Sequence, residues 1–167
     1  MRFDAAVFLE ASGEEFRRVR IERGLSRETL AERAGVHPNT IGVAERGDRD
    51  LAAITQTRFL LALGCERLAL STEGVIAVLG DERAGLEHFR TLRDPAFARL
   101  IGVAIRTRRL SFGLSLDEVA LEAGLHRNTL WNIERGLVLA GGLNLYRIYL
   151  SLGVRALVPS GEGLSLE

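Results

Sequence analysis

The chain of 167 residues contains no lysine and has only one cysteine, three prolines and one tryptophan. Without lysine, the sequence offers neither a Schiff-base amine nor the lysine of a phosphate-binding loop. The lone Cys65 cannot form an intrachain disulfide, which fits a reducing compartment. No stretch reaches the roughly 20 apolar residues of a membrane helix, and the N-terminus lacks the pattern of a secretory signal. We therefore expect a cytoplasmic protein that does not enter a membrane.

The basic residues are all arginines, whose guanidinium groups suit contacts with carboxylates and phosphates. The 22 arginines are balanced by 22 acidic residues, so the formal net charge is zero. Binding of nucleic acid would therefore require local clustering of charge, since the chain as a whole is not basic. A hydrophobic content of 47% and a charged content of 26% are typical of packed domains, and the length allows one or two of them.

An internal repeat organises the sequence. Residues 25–47 align with residues 114–136 at 11 identities in 23 ungapped positions, an offset of 89 residues. At the same offset, residues 11–78 align with residues 100–167 at 23 identities in 68 positions, and four glycine pairs stay in register. Two helical stretches that merely shared a composition would not keep that register. The sequence therefore predicts a duplicated domain.

Within each copy the apolar spacing predicts short helices. In the first copy Gly24 ends one helix, Ser26 caps the next, and Gly35 ends it. Pro38 stands at the first position of a third helix, where its missing N–H costs no hydrogen bond, and Gly47 ends that helix. A fourth helix is predicted over about residues 51–63. The second and third helices with their short glycine turn predict a helix-turn-helix.

A β-hairpin is predicted after each helical unit, with turns at residues 72–74 and 159–163. Because an isolated hairpin is marginal in water, we expect the two hairpins to pair with each other, or across a dimer, into one small sheet. Residues 81–93 have apolar residues at helical spacing, and Asp94-Pro95 predicts a new helix start. The predicted architecture is mainly α: two helix-turn-helix bundles with hairpins at 1–79 and 95–167, joined by a helical tether at 80–94 and arranged as a pseudo-dimer.

Residues 16–63 and 105–152 resemble the helix-turn-helix of phage repressors and Cro, the Xre type of transcriptional regulator. Each copy has an arginine in its first helix, Gly-Leu-Ser before the second, Ala-Gly at the turn, and Glu-Arg-Gly at the end of the third. The resemblance implies a lambda-repressor-like bundle for each copy. The appended hairpins are similar to the dimerising strands of HipB-like antitoxins.

In that family the third helix enters the major groove and lays its first turn against base edges. The resemblance assigns base reading to His37, Pro38, Asn39, Thr40, Gly42 and Val43 in the first copy, and to His126, Arg127, Asn128, Thr129, Trp131 and Asn132 in the second. Asparagine pairs bidentately with adenine and arginine with guanine, so Asn39, Asn128 and Arg127 are the preferred readers. Thr40 and Thr129 suit a phosphate or a thymine methyl. The alternative interpretation is that these polar residues only solvate a surface helix.

A family ion pair between the first helix and the end of the third is matched by Arg20 with Glu45 and by Arg109 with Glu134. The resemblance implies that these four residues hold the fold. Candidates for phosphate contacts are the arginines near helix termini or in the following loop, Arg17, Arg27, Arg49 and Arg106. The alternative for each is a solvated surface charge.

The sequence departs from the family pattern after the third helix, where the loop is often basic. Residues 48–50 read Asp-Arg-Asp and residues 137–139 read Leu-Val-Leu, and both weaken a phosphate contact. Trp131 is predicted to face outward, as residues of contact surfaces do. These departures favour the exchange of DNA for a protein partner in one half, the second rather than the first.

Catalytic and metal signatures are missing from the sequence. His37, His88 and His126 are far apart, and neither a Cys-x-x-Cys pair, a nucleophile elbow nor a glycine-rich phosphate loop occurs. Cys65 ends an apolar helix and is assigned to the core. We therefore expect no enzyme activity, no metal and no cofactor.

Two functions remain open at this point. The first is a sequence-specific regulator of the repressor type, in which two unlike recognition helices read an imperfect palindrome in double-stranded DNA, with half-sites roughly 34 Å apart. The second is an antitoxin-like or scaffold protein that binds a toxin or a second chain, with weak or degenerate DNA contact in the second repeat. The apolar loop at residues 137–139 motivates the second hypothesis.

Overall fold

The computed structural model describes residues 2–80, 92–160 and 163–167. The first half of the chain consists of α1 (Ala5–Glu22), α2 (Arg27–Ala34), α3 (Pro38–Arg46), α4 (Ala53–Ala62), β1 (Cys65–Leu70) and β2 (Val75–Leu79). The second half has the same order, with α5 (Asp94–Ser111), α6 (Leu116–Ala123), α7 (Arg127–Glu134), α8 (Gly142–Ser151), β3 (Ala156–Ser160) and β4 (Gly163–Leu166). Most of the predicted tether, residues 81–91, lies outside the described residues.

Local capping sets the helix boundaries, as the sequence predicts. The Ser26 hydroxyl accepts a hydrogen bond from the Thr29 amide at 3.0 Å, which begins α2. Gly35 then ends α2 with a φ of 69°, a left-handed conformation that favours glycine. Pro38 occupies the first position of α3, and Asp94 begins α5. These four predictions are confirmed.

Each half packs its helices into a small bundle. In the first half α1 lies against α3, and α2 lies against both α3 and α4. In the second half α5 lies against α7, and α6 lies against both α7 and α8. The facing sides of these helices bury small and branched apolar side chains, among them Leu30 and Ala34 on α2 and Ile41 on α3. This packing holds α3 and α7 on their bundles by their apolar faces.

The strands form one antiparallel sheet in the order β2-β1-β3-β4, so the two hairpins pair with each other. At the centre of the sheet Leu68 pairs with Leu157, two residues separated by 89 positions. A second antiparallel bridge joins Ala52 to Gly141, which are also 89 positions apart. We call these two contacts the axial pairs. Reciprocal backbone bonds flank the second one, from the Ala53 amide to the Ala140 carbonyl at 3.4 Å and from the Gly142 amide to the Leu51 carbonyl at 2.8 Å.

Apolar and aromatic contacts continue the core from one half into the other. Helices α4 and α8 pack together. The ring of Phe8, on α1, lies 4.9 Å from the ring of Tyr146 on α8, and both residues are buried. Phe3 stacks on Phe8 at 5.0 Å, and the guanidinium of Arg147 lies over the Phe3 ring. The two halves are therefore joined by side-chain packing as well as by the sheet.

The carbonyl groups at the C-termini of α4 and α8 accept hydrogen bonds from two arginines that are not at corresponding positions of the repeat. Arg23 donates to the Leu63 carbonyl at 3.0 Å, and also to the carbonyls of Gly64 and Gly80. Arg108 donates to the Leu152 carbonyl at 3.2 Å and to other carbonyls at the end of α8 and on β4. Positions 23 and 108 are not 89 residues apart, so the two halves reach the same cap from different places on the first helix.

Candidate nucleic-acid interface

The third helix of each half begins with a histidine cap. The Nδ1 atom of His37 accepts a hydrogen bond from the Asn39 amide at 3.2 Å, and Nδ1 of His126 accepts one from the Asn128 amide at 3.2 Å. Each imidazole therefore satisfies a free amide in the first turn of its helix. The family resemblance assigns base reading to both histidines, and the structure adds this capping role.

In α3 the predicted readers form a surface with little side-chain volume. Asn39 is exposed, while Thr40 and Val43 are half-buried. Gly42 is buried, and a Cβ at that position would lie 3.0 Å from the flexible guanidinium of Arg46. Asn39 is thus the main hydrogen-bonding group on the exposed start of this helix.

In α7 the predicted readers are larger and more polar. Arg127 and Asn128 are exposed, and Thr129 and Asn132 are half-buried. The Arg127 Nε atom lies 3.3 Å from the Asp117 carboxylate, and both side chains are exposed, so the arginine can exchange this partner for another acceptor at little cost. Trp131 is 38% exposed and its ring lies under the guanidinium of Arg135 at 4.6 Å.

Buried ion pairs connect the end of each third helix to the first helix of the same half. Arg109 donates to both carboxylate oxygens of Glu134, at 2.6 and 2.8 Å, and to the Leu114 carbonyl at 2.7 Å. Arg20 donates to both oxygens of Glu45 and to the Leu25 carbonyl at 2.8 Å. Each arginine also bonds the loop before the second helix, so one guanidinium fixes three segments of the bundle.

The four arginines considered for phosphate contacts have different surroundings. Arg17, Arg49 and Arg106 are exposed. Arg27 donates through Nε to the Glu45 carboxylate at 2.9 Å, and its phosphate contact stays a prediction. Burial acts to raise the pKa of Glu45, but the hydrogen bonds from Arg20 and Arg27 outweigh it and hold that pKa below its ordinary value of 4.5. The structure thus brings Arg27 into the ion pair beneath α3.

Two glycines that sequence reasoning missed allow the third helices to approach so closely. A Cβ on Gly13 in α1 would lie 2.6 Å from the Ala44 carbonyl oxygen, and one on Gly102 in α5 would lie 2.7 Å from the Glu134 carbonyl oxygen. The neighbouring atoms are backbone and cannot rotate away. Gly13 and Gly102 are 89 positions apart, so the repeat itself held the signal.

The loops that follow α3 and α7 differ in chemistry. Asp48 pairs with Arg46 on the surface at 2.6 Å. In the other half Leu137 is 63% exposed, and Val138 and Leu139 are also exposed. The first loop therefore presents charge, whereas the second presents aliphatic surface next to the helix that bears Trp131.

Residues 2–80, 92–160 and 163–167 contain no cluster of three or more His, Cys, Asp or Glu side chains able to hold a metal ion. Over the same ranges, no helix combines the length and apolarity needed to cross a membrane.

Part of the first half is similar to a known protein family. Residues 16–68 match the family described as helix-turn-helix, of the Xre/Cro-like type, and this span covers α2, α3, α4 and part of α1 and β1. The match indicates a DNA-binding transcriptional regulator. Comparison with curated proteins and with solved structures gave no match.

Proposed function

We propose that the chain is an internally duplicated regulator of the repressor type, which reads an imperfect palindrome in double-stranded DNA with α3 and α7. One observation carries this proposal: α3 and α7 begin with the same histidine cap and end with the same buried ion pair, at positions 89 residues apart. Both helices present an asparagine to solvent in their first turn. These features support two recognition helices built on one plan.

The axial pairs support a pseudo-dimer. In a twofold arrangement, equivalent residues meet each other only on the axis. Leu68 meets Leu157 in the sheet, and Ala52 meets Gly141 between the helices, each with its equivalent 89 positions away. An axis through both contacts relates α3 to α7, as the symmetry of a repressor dimer relates its recognition helices to two half-sites. Covalent linkage then replaces dimerisation, since it raises the effective concentration of one half at the other.

The two half-sites are read differently on this proposal. In the second half Arg127 donates to guanine and Asn128 bonds adenine, each through a bidentate contact. In the first half Asn39 reads alone, because the side chains beside it are small. Thr40 and Thr129 contact phosphates or thymine methyls, and Arg17, Arg49 and Arg106 contact the backbone. The operator is therefore an asymmetric site, with stronger discrimination in the half that α7 reads.

Selection of duplexes from a random pool by the full chain, followed by fluorescence anisotropy across a salt series, tests the proposal. Asn128→Ala and Arg127→Ala should each weaken binding to the selected duplex by about 1–3 kcal/mol, roughly 5- to 150-fold in affinity. The matched control is Arg67→Ala on β1, because Arg67 is exposed to nearly the same degree as Arg127 but lies on the sheet. Failure to enrich any sequence at low salt, or equal losses in Arg67→Ala and Arg127→Ala, would contradict the proposal.

A second candidate function is binding of a protein partner by the second half. The exposed aliphatic loop at residues 137–139 next to Trp131 favours it, since contiguous apolar surface of this kind is typical of contact sites. An antitoxin-like role would pair this surface with a toxin or a second chain. For a second chain, analytical ultracentrifugation tests the candidate: Trp131→Ala should weaken self-association, whereas Asn128→Ala should leave it unchanged.

A further inference from the structure

The second axial pair joins corresponding segments of the two halves, but the side chains around it differ between the halves. The first half contributes Asp50 and Gln56, which are half-buried and buried respectively. The second half has Leu139 and Leu145 at the corresponding positions, and its Gly141 and Gly142 correspond to Ala52 and Ala53 of the first half.

Asp50 caps a helix of the other half. Its Oδ1 atom accepts a hydrogen bond from the Leu143 amide, in the first turn of α8, at 3.0 Å. The N-cap residue of α8 is Gly141, which has no side chain to do this. A carboxylate near the first amides of a helix is favoured both by hydrogen bonding and by the helix dipole. Helix α8 therefore takes its capping group from the loop after α3.

The two glycines make room for this arrangement. A Cβ on Gly141 would collide with the Asp50 carboxylate, and one on Gly142 would collide with the Gln56 amide. Gly141 has a φ of −66°, a backbone conformation that alanine also adopts, so the requirement for glycine there is one of space. With alanine at both positions, as in the first half, the Asp50 carboxylate and the Gln56 amide would have to move from these places.

Asp50 also lies in a chain of contacts between the two recognition helices. It follows α3 by four residues and bonds α8, which packs on α6, and α6 in turn packs on α7. The second axial pair bonds the far end of the loop between α3 and α4, through the Leu51 carbonyl and the Ala53 amide. Asp50 adds a side-chain bond to α8 one residue nearer to α3.

We propose that Asp50 is a positioning residue that fixes the first half against α8 and thereby sets the separation of half-sites that the chain accepts. The effect on half-site separation rests on the DNA-binding function proposed above; the fixing of the two halves does not. One inserted base pair moves a half-site by about 3.4 Å along the axis and rotates it by roughly 35°. A rigid pair of reading helices discriminates against that displacement, whereas a pair free to tilt tolerates it.

The first measurement concerns the free protein. Spin labels on Glu32→Cys in α2 and Leu121→Cys in α6 occupy exposed, corresponding positions, while Cys65 is buried. Pulsed-dipolar spectroscopy should give one narrow distance distribution for the wild type. Asp50→Ala should broaden it, and Asp50→Asn, which keeps one oxygen acceptor, should broaden it less. Glu73→Gln, at an exposed carboxylate of the β1–β2 turn, is the matched control and should leave the distribution unchanged.

The second measurement concerns DNA. Affinities for duplexes with the selected half-sites separated by one base pair fewer or more should fall about tenfold or more for the wild type. Asp50→Ala should reduce that penalty to about twofold. Gly141→Ala should act like Asp50→Ala by displacing the carboxylate, but it should add little in the double variant, where no carboxylate remains to displace. This non-additivity keeps the test valid if either single variant is less stable.

The outcomes separate the two proposals. A distance distribution that Asp50→Ala does not broaden would overturn the positioning role, whatever its effect on DNA. A broadened distribution with an unchanged spacing profile would overturn the effect on half-site separation. If the wild type binds no duplex and Asp50→Ala still broadens the distribution, the proposed function fails and the fixing of the two halves by Asp50 is supported.

Discussion

Replacement of Arg109 by methionine removes the guanidinium from the most enclosed ion pair described in the second half. The side chains of Arg109 and Glu134 are only 9% and 5% exposed. The replacement breaks two hydrogen bonds to Glu134 and one to the Leu114 carbonyl, and it leaves the carboxylate buried without its cation. Loss of one partner of such a pair costs about 3–5 kcal/mol, which is a large part of the stability of an ordinary domain.

Urea and thermal unfolding followed by circular dichroism measure this loss. A chain of this length should melt about 6–20 °C lower in the variant. Arg46→Met is the matched control, because Arg46 bonds Asp48 at 2.6 Å with both side chains about half exposed. Its effect should be about 1 kcal/mol or less, since exposed pairs contribute little.

The double variant Arg109→Met/Glu134→Leu tests the reason for the loss. If the cost comes from the stranded carboxylate, removing that carboxylate as well should restore much of the stability. A single variant no less stable than Arg46→Met would refute the reasoning. So would a double variant that is no more stable than Arg109→Met alone, because the energy would then lie in the pair itself.

Three other predictions concern stability and reactivity. Because the pKa of the Glu45 carboxylate is held below 4.5, Glu45 should stabilise the fold fully above pH 4.5 and lose that contribution as the pH falls through the lowered pKa. The unfolding free energy of Glu45→Gln should therefore change less between pH 6 and 3 than that of the wild type. Equal slopes of unfolding free energy against pH in the two proteins would contradict this. Gly102→Ala should destabilise by about 1–3 kcal/mol in urea unfolding because its Cβ meets backbone, whereas Gly42→Ala, which meets only a flexible side chain, should be neutral or stabilising; equal effects would argue against the close approach. Burial raises the pKa of Cys65 to about 12, so a thiol reagent at pH 8 should label the folded chain far more slowly than the unfolded chain, and full labelling within minutes would disprove its burial.

Helix boundaries could be predicted because their causes are local. Ser26 accepts from an amide three residues away, and Gly35 needs only its own backbone freedom to end a helix. The hairpins could also be predicted, but the alternation of apolar residues in a strand does not indicate which strand it pairs with. The sequence therefore allows pairing within the chain as well as pairing across a dimer, and the structure has the first, with Leu68 opposite Leu157.

The features that could not be predicted depend on contacts between residues that are distant in sequence. Asp50 bonds an amide 93 residues away, and nothing in its own loop points there. Arg23 and Arg108 perform the same capping at positions that do not correspond, so the repeat could not reveal them. Gly102 is different: its match with Gly13 was visible, but a glycine inside a helix pattern is usually taken only as a weak helix former.

At the axial pairs, the two residues in contact can be substituted independently of each other. At a self-facing position of a homodimer, one codon change alters both sides of the contact, so bulk cannot be added to one side and removed from the other. Here Ala52 faces Gly141, and each is encoded separately. On the proposed duplication, one partner at the junction can become larger while the other becomes smaller. The two proposed reading surfaces can likewise change independently and come to recognise different DNA sequences.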